Sequence, residues 1–358
     1  MPASAQGLPQ ANELDSEKGI DINLCECTGC GLVQLDSDPV SYYKDVIRSG
    51  GYTSTMENLR RSQYQKFIDT FDLIGKKIIE VGCGQGEFLK TLTEFDVKAY
   101  GMEHKKDLAE KACAIGLNVY EHYPVDEDDK FKDAPYDAFT SFNFLEHQPD
   151  PYMYLRCIHH NLTEDGCGLI TVPSLEYIID KKTYYEIIPD HIAYYTQDSL
   201  RKLLERCGFD TVSCEIVNRD TISCIVKKSK RIDLSPVINT HDEIVGQMQS
   251  VAKGIKDAGG KLAIWGASHQ GFTILSTCEI EKYVDFIIDS APFKQGKFSP
   301  ASHVKIISPD EAITRKPDTI IIIAPGYSDE IAGIIKERFE AGTLIYTLKT
   351  DKLEKIEN

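Results

Sequence analysis

The stretch Lys76 to Leu89, KKIIEVGCGQGEFL, decides how the rest of the chain is placed. Ile78, Ile79 and Val81 are β-formers in a short apolar run, and Gly82, Gly84 and Gly86 then put three positions without Cβ into the turn that follows. A glycine turn between a buried strand and a helix lets the backbone approach a ligand closely. A dinucleotide fingerprint has the form G-x-G-x-x-G. This chain has G-x-G-x-G, with an acid, Glu80, two residues before the first glycine. A carboxylate at a strand's end suits a cationic amino group better than a pyrophosphate. The amino-acid moiety of S-adenosylmethionine carries such a group, so the pattern points to that cofactor ahead of a dinucleotide or a purely structural turn.

The chain has 358 residues, room for two or three domains at about 100 to 200 residues each. Its 56 acids against 40 Lys and Arg give a net charge of -16, which argues against general binding to nucleic acid or an anionic membrane. No apolar run approaches the roughly 18 residues of a membrane span, and MPASAQGLPQANELDSEKG lacks the basic and apolar regions of a signal peptide. A cytoplasmic protein is expected. The 11 cysteines, an odd number spread mostly singly, suit reduced thiols.

Near the N-terminus, Cys25, Cys27 and Cys30 lie in CECTGCGLVQL, where Cys27 and Cys30 form a C-x-x-C knuckle. Structural zinc usually takes four ligands; with no second C-x-x-C pair, a metal-free relic is expected ahead of bound zinc. A helix from about Thr55 places Phe67, Phe71 and Ile74 at helical spacing, to pack on the sheet. Arg48, Tyr52 and Arg60 are candidates to close over a carboxylate or phosphate of the substrate.

After the glycine turn, Glu87 to Phe95 predicts a helix and VKAYGMEH a strand ending in Glu103, where an acid in a doubly wound fold accepts ribose hydroxyls. Leu108 to Ile115 predicts a helix and Leu117 to Tyr120 a third strand. YDAFTSFNFLEH is the fourth strand, with Asn143, Glu146 and His147 at the carboxyl end where ligands bind. Pro151 to Leu162 as helix and GCGLITVPS as strand continue the alternation, hence a parallel sheet. Asp190 and His191 stand before an aromatic pair that includes Tyr194, and strands CEIVNR and ISCIVKK finish the unit. After a linker at about Lys228 to Pro236, a second glycine turn, GASHQG, precedes a strand ending at Asp289, and TLIYTL is the last strand. A docking or substrate-closing module is expected there ahead of a second nucleotide site.

Together CTGCGLVQL, IIEVGCGQGEFL, NFLEHQPDP, PDHIAYYT, GASHQG, DSAPFKQGKFSP and APGYSDEI resemble the sugar C-methyltransferase family of deoxysugar pathways, along nearly the whole chain. The resemblance implies three parts: a small zinc-binding-like segment at 1-45, a class I methyltransferase domain with a doubly wound α/β sheet at 46-230, and a Rossmann-like α/β domain at 231-358. It implies methylation of a carbon beside the ketone of a nucleotide-linked keto sugar. It places Glu80, Gly82, Cys83, Gly84, Gly86, Glu103, Asn143, Phe144 and Leu145 around S-adenosylmethionine, and Tyr194 on the substrate side. The expected base is His191, oriented by Asp190, with His147 or Asn143 at the oxyanion and Glu146 beside them. Two departures stand out. The family's upstream cysteine pair is absent, and Ile188 stands where the family has a tyrosine two residues before its acid-histidine pair. Methylation of a sugar oxygen or amine is the alternative; a nucleotide-sugar oxidoreductase or a binding module is the rival of another class.

Overall fold

Ile78 and Ile79 point to opposite faces of a sheet because side chains alternate along a strand, and both faces are covered by helices. The computed structural model describes residues 1-4, 6, 8-45 and 53-357, which divide into two units, Met1–Arg231 and Ile232–Asn358. The first contains β1 (Leu24–Glu26), β2 (Val33–Leu35), α1 (Ser54–Phe71), β3 (Lys77–Val81), α2 (Glu87–Leu92), β4 (Lys98–Glu103), α3 (Lys106–Ala114) and β5 (Val119–Glu121). It continues with β6 (Tyr136–Phe142), α4 (Pro151–His160), β7 (Leu162–Pro173), α5 (Leu175–Lys181), β8 (Ala193–Tyr194), α6 (Gln197–Arg206), β9 (Phe209–Val217) and β10 (Thr221–Lys228).

Seven strands pair in the order β5-β4-β3-β6-β7-β10-β9. The β3 strand has parallel neighbours on both sides, β4 and β6, so the strand order reverses there and opens a crevice at the carboxyl ends. Ile78 packs with α1 and α2 residues such as Phe67 and Leu89. On the other face Ile79 and Val81 join Leu155, Ile158 and Leu204. The sheet is mixed rather than all parallel: β10 runs antiparallel to both β7 and β9. Asn218 and Arg219 both take positive φ in a hairpin link too short for the crossover that parallel strands need.

Local chemistry sets the helix ends. Thr53 caps α1 by accepting the Met56 N–H, and Asp72 stops it in the left-handed region. Ile74 therefore lies beyond the helix and is exposed, contrary to the expected stripe. Asp150 caps α4 with Pro151 in its first turn, and Thr196 and Ser199 form a reciprocal capping box on α6, each cap worth about 1 kcal/mol. The β1-β2 hairpin pairs with β8 in a separate three-stranded sheet.

The second unit contains α7 (Ser235–Asp257), β11 (Leu262–Trp265), α8 (His269–Thr277), β12 (Phe286–Ile288), β13 (Ile306–Ile307), α9 (Pro309–Arg315), β14 (Thr319–Ile322), α10 (Ser328–Arg338), β15 (Leu344–Leu348) and β16 (Leu353–Ile356). Its sheet order is β13-β12-β11-β14-β15-β16, parallel except for β16, an added hairpin strand beyond TLIYTL. At its glycine turn a Cβ on Gly271 would fall 2.1 Å from the Gly266 carbonyl oxygen. Asp289 accepts the N–H of Ala267 and of Ala291 and pairs with Lys294, so this acid holds its own turn together. No described helix is long and apolar enough to cross a membrane, and all eleven cysteines are free thiols.

Where β6 meets β7, Gly168 lies opposite Phe139, and a Cβ there would fall 2.1 Å from the buried ring. Gly168→Ala should cost about 1 to 3 kcal/mol by overpacking, read as a lower urea midpoint. In a Phe139→Leu background the same substitution should cost clearly less; equal cost in both would reject the ring as the cause.

Candidate active site

The β3-α2 corner is built on backbone that side chains would block. Gly82, Gly84 and Gly86 have φ of 80°, 58° and 84°, which L side chains rarely adopt. A Cβ on Gly82 would come within 3.2 Å of the Phe144 ring, and one on Gly86 within 2.3 Å of Leu117. Glu80 is buried at the end of the strand. At the tip of β4, Glu103 accepts the Gly84 N–H at 2.8 Å through one oxygen and the Lys105 N–H at 2.9 Å through the other. Each oxygen keeps a second lone pair, so Glu103 braces the corner and still has capacity for ribose hydroxyls. Beside it a cleft is lined by Lys44, Gly82, Glu103, His104, Tyr123 and Phe144. The corner fits S-adenosylmethionine in the chemistry of its groups: bare glycine backbone, the buried carboxyl of Glu80 on the strand before it, and the carboxylate of Glu103 at the tip of the next strand. Cys83 and Leu145 serve differently from the rest. The buried Cys83 thiol is raised by burial and by the charges of Glu80 and Glu103, so it packs as a neutral group, and Leu145 anchors the turn in the core.

Strand β6 stops at Phe142 because Asn143 turns to φ 49°. Glu146 and His147 therefore sit on a short 3-10 turn, Leu145–His147, rather than on the strand. The Thr171 hydroxyl donates to Asn143 Oδ1 at 2.9 Å, and this fixes the amide so that its NH₂ remains a donor. His147 Nδ1 lies 2.6 Å from the Asp190 carbonyl oxygen. A carbonyl only accepts, so Nδ1 carries the proton and Nε2 keeps the lone pair. The His191 ring stands 4.8 Å from the His147 ring at 69°, and no hydrogen bond holds either of its nitrogens among the described residues.

Asp190 does not orient His191 as expected. Its carbonyl orients His147, while its carboxylate, 2% exposed, accepts the Tyr42 hydroxyl at 2.9 Å. Tyr194 is also reassigned. Its buried hydroxyl accepts the Ile188 N–H and donates to the Ile188 carbonyl, which ties down the loop before Asp190 instead of facing a substrate. Arg60, 2% exposed, stacks its guanidinium 3.4 Å from the centre of the Phe142 ring and donates to Gln63. In that place it fastens α1 to the sheet, contrary to the expected closure over a substrate. Arg48 and Tyr52 lie outside the described residues. Tyr42, Lys44, Tyr123 and Thr171 were invisible to sequence spacing, since Tyr42 and Asp190 meet across 148 positions.

Among the described residues, Glu146, His147 and His191 are the group that offers ligand atoms to a metal, all within 4.8 Å of one another. Bonds of about 2.0 to 2.2 Å to a divalent ion bring donors to about 3.4 Å apart, so the trio is too open for a formed centre. At the knuckle, main-chain N–H groups of Cys30 and Gly29 lower the Cys27 thiol, yet Cys27 and Cys30 are not joined by a four-ligand set among the described residues.

Burial governs protonation in the cluster. It lowers His147, helped against by the Asp190 carbonyl, and pushes His191 down to about 3, with repulsion from His147 adding to it. It pushes the Glu146 carboxyl up to about 8. Near neutral pH the site is two uncharged imidazoles beside an uncharged acid. The histidines bind fewer protons folded than unfolded below pH 6.5, so their contribution to stability falls as pH drops from there toward 3. Glu146 binds more protons folded between 4.5 and 8, so its contribution is full below 4.5 and is lost as pH rises through 8. The Glu146 effect is on the order of 3 to 5 kcal/mol. Between pH 6.5 and 8 Glu146 is the one member of the trio whose proton binding still changes stability, so the melting temperature should fall more steeply there in the wild type than in Glu146→Gln.

Residues 54–214 match the family described as methyltransferase domain, and residues 238–348 the C-methyltransferase C-terminal domain. The C-methyltransferase NovU of Streptomyces niveus is 22% identical over 376 residues, covering 95% of this chain and 89% of that protein. The ubiquinone biosynthesis O-methyltransferase of Vibrio parahaemolyticus is 20% identical, covering 47% of this chain and 78% of its own. Among solved structures, an S-adenosylmethionine-dependent methyltransferase from Clostridium acetobutylicum aligns at a TM-score of 0.40 and 12% identity, over 53% of this chain and 96% of that one. Magnesium protoporphyrin IX methyltransferase from Synechocystis, with bound SAH, aligns at 0.39 and 14%, over 51% and 90%. The chain is a methyltransferase in which a stretch matching a methyltransferase domain is followed by one matching the C-methyltransferase C-terminal domain.

Proposed function

We propose that the protein methylates a carbon beside the ketone of a nucleotide-linked keto sugar, in deoxysugar or surface-polysaccharide biosynthesis, with His191 as general base. The observation that carries this reading is the pair of facing imidazoles: His147, on the turn that Phe144 packs against the glycine corner, and His191, on the loop beside it. S-adenosylmethionine, when bound, supplies a methyl group activated on a sulfonium. Glu80, Gly82, Gly84, Gly86 and Glu103 hold and orient it, which is most of what an in-line displacement asks of a protein.

A carbon nucleophile asks for more, because the proton beside the ketone has to leave. His191 is half-buried, with its ring nitrogens unengaged among the described residues, so it takes that proton at a nitrogen lone pair. Its low basicity in the unliganded site rises when the anionic nucleotide arrives, since a nearby negative charge favours imidazolium. The forming oxyanion needs an N–H donor. His147 has its one N–H on the Asp190 carbonyl, which leaves Asn143, whose amide is already turned by Thr171. Free thiols and the acidic surface accord with a cytoplasmic setting.

Methylation of oxygen is the second reading, and an O-methyltransferase relative that covers 47% of the chain supports it. The C-methyltransferase C-terminal domain family over residues 238–348 favours carbon. A mass-spectrometric screen of nucleotide-linked keto sugars with a labelled methyl donor tests both: label on carbon is expected, label on oxygen would overturn the first. In D₂O without the donor, deuterium should wash into the carbon beside the ketone. His191→Ala should cut turnover and wash-in by about 10² to 10⁴ with donor affinity unchanged. Glu103→Ala should weaken donor binding by roughly 10 to 150-fold in calorimetry; unaltered binding would remove its ribose role.

A further inference from the structure

The hydroxyl of Tyr42 reaches the carboxylate of Asp190, and this contact ties a remote segment to the proton-transfer pair. Tyr42 lies on the chain after β2, far from the fourth-strand turn in sequence, yet its hydroxyl donates to Asp190 Oδ1 at 2.9 Å. Asp190 is buried. Its main-chain oxygen accepts His147 Nδ1, and the next residue is His191, whose N–H closes a turn onto the Ile188 carbonyl at 3.2 Å. A rotation of residue 190 would therefore move both imidazoles at once. The loop is pinned from the same side by main-chain bonds: Leu35 donates to the Ile192 carbonyl, and Ile192 donates to the Glu146 carbonyl. Residue 190 is thus held through its carbonyl, through its carboxylate and through the main chain of its neighbours.

The next two residues face the other way. Tyr43 meets Tyr123 edge-on at 6.3 Å, and the Lys44 ammonium lies 4.6 Å over the same Tyr123 ring. That ring and Lys44 line the cleft that also contains Glu103. The short 3-10 turn Tyr43–Asp45 and the residue before it thus bridge the donor's corner and the two histidines.

We infer that Tyr42 is a positioning residue for proton transfer: its hydroxyl sets Asp190, whose carbonyl fixes the tautomer of His147 and whose neighbour is His191. The inference rests on the reading of His191 as base for its kinetic arm only.

Tyr42→Phe removes one oxygen and keeps the ring. For the purified full chain, donor affinity by calorimetry should stay within about twofold, and wild-type-like melting shows that the fold is intact. Turnover and deuterium wash-in should fall about tenfold or more, with KM for the sugar little changed. A merely structural residue would lower melting and donor binding instead. Nitrogen-15 NMR of the histidine rings is the second arm and needs no substrate. The wild type should show His147 locked with its proton on Nδ1, and Tyr42→Phe should broaden or shift that signal. Unchanged turnover together with an unchanged His147 signal overturns the inference. If the wild type methylates no keto sugar but the signal moves in Tyr42→Phe, the proposed reaction fails while the hold of Tyr42 on the pair stands.

Discussion

The contact between the Phe144 ring and the bare α-carbon of Gly82 determines where everything else in the site falls. A methyl group at position 82 would come within 3.2 Å of that ring. Because none is there, the turn after β6 closes down on the first βα corner, and Asn143, Glu146 and His147 come with it. A side chain at 82 would press on that ring, which would have to give by a few tenths of an ångström, and would add the strain of a φ of 80°. The glycine corner and the turn carrying His147 are thus two sides of one packing contact.

Burial without counter-charge gives the site its chemical character. Three groups that are often charged in water, Glu146, His147 and His191, are all held uncharged near neutral pH by desolvation. A ligand entering beside them then meets no fixed charge from this trio. What orders the trio is hydrogen bonding: Asp190 to His147, Thr171 to Asn143 and Tyr42 to Asp190. Those three bonds come from three separate stretches of chain.

Local patterns were legible in the sequence where they bear on one or two neighbouring elements. Strand, glycine turn and acid at 76-89, and the acid ending the next strand at Glu103, needed only periodicity and the special backbone of glycine. The caps Thr53, Asp150 and Thr196 also stand where residue type predicts. What failed depended on direction or distance. β9 and β10 read as strands, but nothing in their composition sets their antiparallel sense; the three-residue link does. Arg60 has the residue type of an anion ligand, and only the rings of Phe142 and Phe88 on either side of it show that it is packed inside. Asp190 beside His191 suggests a pair, yet adjacent residues point different ways, and its partners lie at Tyr42 and His147.

The pairing of β2 with β8 joins a hairpin near the start of the chain to a strand about 160 residues later. Loop closure over that length is slow relative to local contacts, and during synthesis the hairpin emerges long before its mate exists. The loop carrying Asp190 and His191 is consequently among the last parts of the first unit to settle, after the seven-stranded sheet has its centre. The same β-ladder holds the hairpin that carries the C-x-x-C knuckle against the rest of the first unit.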